Sequence, residues 1–167
     1  MITITLNEKQ IAWCKELGFR RSASKNHADT KNSRNLSKDK PAWHRHFVGV
    51  CGEFAYAQHT GQKVDTNIYH GYGDNGVDFA NGVDVKTSAF IPNSYQNMPD
   101  LLLFEKQFAR KKADIYVLAW LRLPDVILMG SITQEKLLEV KEIKQIQKHD
   151  RSYVINNKHL TPIIWKK

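Results

Sequence analysis

The chain has little cysteine, no long apolar run and fewer acids than bases. Its two cysteines, Cys14 and Cys51, stand far apart among 167 residues and have no zinc-ligand spacing. They are expected to be reduced thiols in the core of a cytoplasmic protein. No apolar stretch is long enough for a bilayer-spanning helix, so no membrane partner is expected. The start, Met1-Ile2-Thr3-Ile4-Thr5, lacks the charged head and apolar centre of a signal peptide. Internal repeats and heptads are missing. Gly71, Gly73 and Gly76 are not followed by a helical pattern, which excludes a nucleotide-binding fingerprint. A calcium loop starting at Asp74 would place Val85 where its final glutamate belongs. His44 and His46 lie two apart on an expected helix and do not share a face, and His59 and His70 have no partner spacing. No nucleophile motif supports a Ser-His-Asp hydrolase.

The excess of base points to polyanions. There are 25 lysines and arginines against 17 acids, a formal net charge of +8, and the pI is about 9.5. Nucleic acid and anionic surfaces are the partners such a balance favours. Much of the excess lies in residues 20–45, which are polar and poor in large apolar groups. Arg20, Arg21, Lys25, Lys31, Arg34, Lys38, Lys40 and Arg45 face only Asp29 and Asp39 there. Such a composition cannot bury enough surface to fold alone. It reads as a basic, mobile arm, either an ordinary solvated loop or a phosphate-gripping segment.

Residues 74–88 carry the most chemistry. Val77 and Phe79 alternate with Asp78, and Val83 and Val85 alternate with Asp84 and Lys86. This period of two marks half-buried strands around an Asn-Gly turn. A two-residue loop would split the carboxylates between faces. A three-residue loop, Ala80-Asn81-Gly82, pairs Asp78 with Asp84 and Val77 with Val85, and puts Gly82 in the left-handed position of a bulged turn. Two carboxylates then lie side by side, each favouring a cation or a proton between them. Their oxygens suit Mg2+ or Mn2+. Lys86 leans from the same face, placed to orient water or oppose developing negative charge. The plain alternative is a surface hairpin with a solvated Asp-Lys pair. Asp74, a rival acid, is expected to shape its own turn.

Asp78, a short gap and then Asp84-Val85-Lys86 resemble the signature of the PD-(D/E)XK nuclease superfamily. The resemblance spans roughly residues 47–133 and includes a helix carrying Glu53 before the hairpin. Val77 stands where the name has proline. The resemblance implies a restriction-endonuclease-like fold and hydrolysis of DNA by metal-activated water, leaving a 5′-phosphate and a 3′-hydroxyl. Asp78, Asp84, Lys86 and Glu53 would be catalytic. Asp78, Asp84, Glu53 and the Val85 carbonyl would hold Mg2+, with Mn2+ able to substitute. An endonuclease, acting as a homodimer to cut two strands, is the expected form. Arg20, Arg21, Lys25, Arg34, Lys38, Arg45, Thr87, Ser88, Lys111 and Lys112 are the candidate DNA contacts. A non-catalytic nucleic-acid-binding or inhibitor protein on the same fold is the alternative, and a ribonuclease differs only in substrate.

The remaining elements follow from pattern. Residues 2–6 predict an edge strand. Asn7 caps a helix that Gly18 ends near Leu17. A helix from Pro41 to about Thr60 is stopped by Gly61 and carries Phe47, Val50, Cys51, Phe54 and Ala57 on one stripe. Gly49 and Gly52 cost that helix about 1 kcal/mol each against alanine, and their bareness would let it approach a sheet. Residues 91–100 read as a loop and 101–112 as a helix. Residues 115–120 read as a central strand buried on both faces. Residues 126–132 form another strand, and Thr133 caps a helix to about Gln147. Two short extended segments, 153–155 and 163–165, close the chain. The expected whole is one α/β domain over residues 1–167, with a central mixed sheet of four or five strands flanked by helices.

Overall fold

The apolar run at 115–120 becomes β4 (Ile115–Arg122), and the fold is arranged around it. The computed structural model describes residues 1–25, 40–68, 77–91, 98–110, 112–147 and 150–163. Strand β4 pairs antiparallel with β5 (Asp125–Thr133) and parallel with β2 (Val83–Ser88). At the far edge β1 (Ile2–Thr5) pairs antiparallel with β5. The resulting mixed sheet has the order β1-β5-β4-β2. Parallel neighbours need a long crossover, and the one between β2 and β4 carries β3 (Leu101–Phe104) and α3 (Glu105–Arg110).

Alternation along β4 divides the interior in two. Val117, Ala119 and Leu121 face a core shared with Val83 and Val85 of β2 and with helices α1 (Glu8–Lys25) and α2 (Ala42–Thr60). Tyr116, Leu118 and Trp120 face a second core. That core is closed by α3, by α4 (Gln134–Val140) and by an antiparallel three-stranded sheet. The second sheet has the order β3-β7-β6, with β6 at Glu142–Gln147 and β7 at Asp150–Ile155. A single turn of 3-10 helix, Asn157–His159, follows. The α/β class and the four-stranded mixed sheet agree with the sequence pattern, whereas the second sheet is new. No helix among the described residues is long and apolar enough to cross a membrane.

Two expected helices are partly strand. Residues 101–104 pair with β7, burying Leu101 and Leu103 and exposing Leu102. That alternation is itself a strand pattern, and among the described residues of the expected helix only Glu105–Arg110 is helical. Thr133 does cap α4, its Oγ1 accepting the Lys136 N–H at 3.3 Å. The helix stops at Val140, because residues 142–147 pair with β7 instead. Both segments pair with β7, which is distant in sequence from residues 101–104 but separated from 142–147 by only two residues, and these pairings override local helix preference.

Helix α1 also departs from expectation. Asn7 and Gln10 form a reciprocal cap: Gln10 N–H donates to Asn7 Oδ1 at 2.9 Å and Asn7 N–H to Gln10 Oε1 at 2.8 Å. The helix then runs through Gly18 to Lys25. A Cβ at Gly18 would lie 2.6 Å from the Phe47 nitrogen and 2.7 Å from its Cα. Gly18 is therefore the point where α1 crosses α2, and it does not end the helix. The buried thiols of Cys14 and Cys51 lie within the same core. Residues 20–25 of the expected mobile arm are helical in α1 and residues 42–45 begin α2, because both helices continue past their core contacts. The arm's centre lies outside the described residues. Gly61, with φ of 72°, ends α2 as expected.

Gly18→Ala distinguishes a crossing point from an unconstrained helix position. Overpacking at a close backbone contact predicts a loss of about 1–3 kcal/mol in urea unfolding. At an unconstrained helix position alanine would instead add about 1 kcal/mol.

Candidate functional site

Strand β2 lies at the edge of its sheet, and the site is built along that free edge. Its period of two sends Val83 and Val85 into the first core and places Asp84 and Lys86 on the opposite face. The preceding turn has the three-residue loop. Phe79 bridges Val83, Gly82 N–H donates to Phe79 O at 3.0 Å, and Gly82 has φ of 76°. The expected first strand of the hairpin is reduced to this one bridge. Val85 N–H, which a continued ladder would use, donates to Asp78 Oδ2 at 2.7 Å. Val77 consequently packs against the second core and does not join Val85 in the first. Within a strand, one residue's N–H and C=O point to the same side. The Val85 carbonyl thus faces the edge on which Asp78 sits.

Helix α2 brings the third acid. Gly52 packs directly against Thr87: a Cβ there would overlap Thr87 Oγ1 and come within 3.2 Å of the Ala119 Cβ. This close approach sets Glu53 beside β2, with 6% of its surface exposed. Gly49 does not touch the sheet. A Cβ there would meet only Glu53 Oε1, at 3.9 Å, so its bareness keeps the cleft open.

Glu53, Asp78, Asp84, Val85 and Lys86 all line one cleft of about 360 Å³. Lys86 Nζ lies 2.8 Å from Asp84 Oδ1 and 2.7 Å from Oδ2. Arg21 Nη1 donates to Glu53 Oε1 at 2.8 Å, and Nη2 donates to the Asp65 carbonyl at 2.7 Å. Burial pushes the Asp78 carboxyl well above the ordinary range, and the charges of Glu53 and Asp84 push it further. Lys86 and the Val85 amide oppose this. Burial opposes the Arg21 charge, but the Glu53 hydrogen bond and the charges of Glu53, Asp78 and Asp65 hold its pKa above normal.

The donor chemistry fits a divalent cation: three hard carboxylates, one from α2 and two from β2 and the turn leading into it, a carbonyl on the same edge, and mutual repulsion that a cation would relieve. Two of the acids already carry a protein cation. Among the described residues no group of three or more His, Cys, Asp or Glu side chains stands arranged around a metal position. Lys86 and Arg21 would have to share Asp84 and Glu53 with the ion.

The candidate DNA contacts divide. Arg45 and Thr87 line the cleft, the Thr87 Oγ1 being buried with no hydrogen-bond partner. Ser88 Oγ accepts the Phe90 N–H at 3.3 Å. Arg20 is exposed on α1, and Lys112 is exposed with its ammonium 5.8 Å from the centre of the Phe108 ring. Arg21 also lines the cleft, with its guanidinium directed at Glu53 and the Asp65 carbonyl. The Lys25 side chain, Arg34, Lys38, Lys111 and Asp74 lie outside the described residues. Ser24, His46, Asp65 and Gln107 also line the cleft, and the sequence pattern singles out none of them. A usable signal exists for Arg21. Continuing the helical period past Gly18 puts Cys14, Leu17 and Arg21 on one face.

The chain matches no family model, no curated protein and no solved structure.

Proposed function

We propose that this chain is a divalent-metal-dependent nuclease of the PD-(D/E)XK kind, on a restriction-endonuclease-like scaffold, hydrolysing phosphodiester bonds of DNA. One observation carries the reading. Glu53 from α2 meets Asp78, Asp84 and Lys86 from one turn and strand in a single cleft, and the Asp78 carboxyl is pushed up by burial and by the other two acids. Evolved active sites hold such strained charge clusters more often than structural surfaces do.

Asp78, Asp84, Glu53 and the Val85 carbonyl are the groups that would hold Mg2+ or Mn2+. When bound, the ion supplies Lewis-acid polarisation of the phosphate and lowers the pKa of water. Lys86 hydrogen-bonds the phosphate or the attacking water and opposes the charge that develops. Arg45, at the cleft, and Arg20, on the exposed face of α1, contribute to backbone contact, as does the net charge of +8. A cytoplasmic endonuclease, paired with a second copy for double-strand cutting, completes the proposal.

Plasmid, linear and branched DNA, with an RNA control, should be incubated with Mg2+, Mn2+ or chelator. Cleavage is expected with either ion and not with chelator, and Asp84→Ala should eliminate it. Cleavage that persists in chelator, or in the variant, would defeat the reading. A second reading is supported by the Lys86–Asp84 and Arg21–Glu53 pairs, which satisfy two acids without metal. A non-catalytic nucleic-acid-binding or inhibitor protein would bind with marked salt dependence, ignore chelator and cut nothing.

A further inference from the structure

We infer that Arg21 is a positioning residue that acts through Glu53 to set the proposed metal site, and that it does not contact nucleic-acid phosphate. The inference rests on the nuclease reading. The guanidinium joins three parts of the chain. It projects from α1, donates through Nη1 to Glu53 Oε1 on α2 at 2.8 Å, and donates through Nη2 to the Asp65 carbonyl at 2.7 Å. Asp65 lies beyond the end of α2, on the path to the turn that holds Asp78. Its own Oδ1 accepts the Asn67 N–H at 2.9 Å. One planar group thus holds the acid on α2 against α1 and against the backbone just beyond α2.

Burial separates this role from a phosphate contact. The Arg21 side chain is 19% exposed and that of Glu53 is 8% exposed. A phosphate-binding arginine must turn its fork outward, but this one directs two of its nitrogens at protein acceptors. Outer groups that orient a ligand in this manner alter metal affinity about 10–100-fold when replaced.

Charge works in the opposite direction, since a nearby cation repels a divalent ion. The informative variant therefore keeps the charge. In Arg21→Lys the ammonium cannot span both acceptors in the planar geometry of the fork. Titration with Mn2+ alone, followed by electron paramagnetic resonance, should show a Kd raised about 10-fold. Turnover should fall with it, while KM for DNA and the salt dependence of binding stay at wild-type values. In a Glu53→Gln background, Arg21→Lys should have no further effect on the Mn2+ Kd, because both act through the same carboxylate. This cycle also separates positioning from general damage to the fold, which would add in either background.

An unchanged or lower Kd in Arg21→Lys overturns the inference and leaves the nuclease reading standing. A raised KM with a shallower salt slope also overturns it, in favour of a phosphate contact. Failure of the wild-type protein to bind Mn2+ overturns both.

Discussion

Lys86→Ala is expected to lower DNA cleavage by about 10²–10³-fold without weakening Mn2+ binding. The two effects come from one side chain with two partners. Lys86 Nζ lies within 2.8 Å of both Asp84 oxygens, so in the absence of an ion the ammonium occupies the position a metal would need. Removing it frees those oxygens, and Mn2+ affinity should hold or rise. The same ammonium lies beside the acids, where it can oppose charge on a reacting phosphate. Loss of rate beside intact or tighter metal binding is the pattern expected of a group that acts on the transition state. The competing view makes Lys86 a structural partner alone. On either view Lys86→Ala leaves Asp84 a buried, unpaired carboxylate and lowers metal-free stability by about 3–5 kcal/mol, but on the competing view Mn2+ does not restore it. Mn2+ titration, thermal melting and plasmid cleavage on the same preparation separate the two.

Asp78→Asn is expected to stabilise the metal-free protein while removing activity. Burial and the charges of Glu53 and Asp84 raise the folded pKa of Asp78 above its unfolded value. Between the unfolded value, about 3.9, and the raised folded value, the folded chain holds a proton that the unfolded chain has released. Stability therefore falls as pH rises through that window, and the loss is complete once the folded carboxyl has ionised. Asparagine cannot ionise, yet its carbonyl oxygen can still accept the Val85 N–H that Asp78 Oδ2 now accepts at 2.7 Å. The variant should melt higher than wild type at neutral pH in chelator, by about 2–4 °C for each 1 kcal/mol gained in a chain of this size. Its stability should also vary less with pH. Added Mn2+ should raise the wild-type Tm by mass action and leave the variant largely unmoved. A variant that melts lower than wild type throughout would mean that Asp78 is held by contacts which asparagine cannot reproduce, and the charge cluster would lose its significance.

Both predictions depend on side chains whose grouping is partly legible in the amino-acid sequence. Asp78, Asp84 and Lys86 are close along the chain, and a local turn is enough to assemble them. The loop length follows from requiring that the valines and the acids keep to their own faces, and Gly82 adopts the backbone that this loop demands. Glu53 is accessible through the helical stripe of α2. The Arg21–Glu53 contact is obscured, because Gly18 has the pattern of a helix stop and the helical period must be carried past it. A glycine that serves close approach to another helix cannot be told from a cap until that helix is in place.

Short-range features of this chain follow from chemistry within a few residues: the Asn7 and Thr133 caps, the Gly61 stop, the β4 run and the turn at Ala80-Asn81-Gly82. These rest on local backbone geometry and hydrogen bonds, which need no distant partner. Long-range contacts settled the rest. Leu101–Phe104 is a strand because the distant β7 supplies its hydrogen bonds, with β6 lying on the other side of that same strand. Arg21 meets Glu53 because α1 and α2 cross at a glycine. Pairing and crossing energies depend on which surfaces meet in space, and spacing along one sequence does not contain that information.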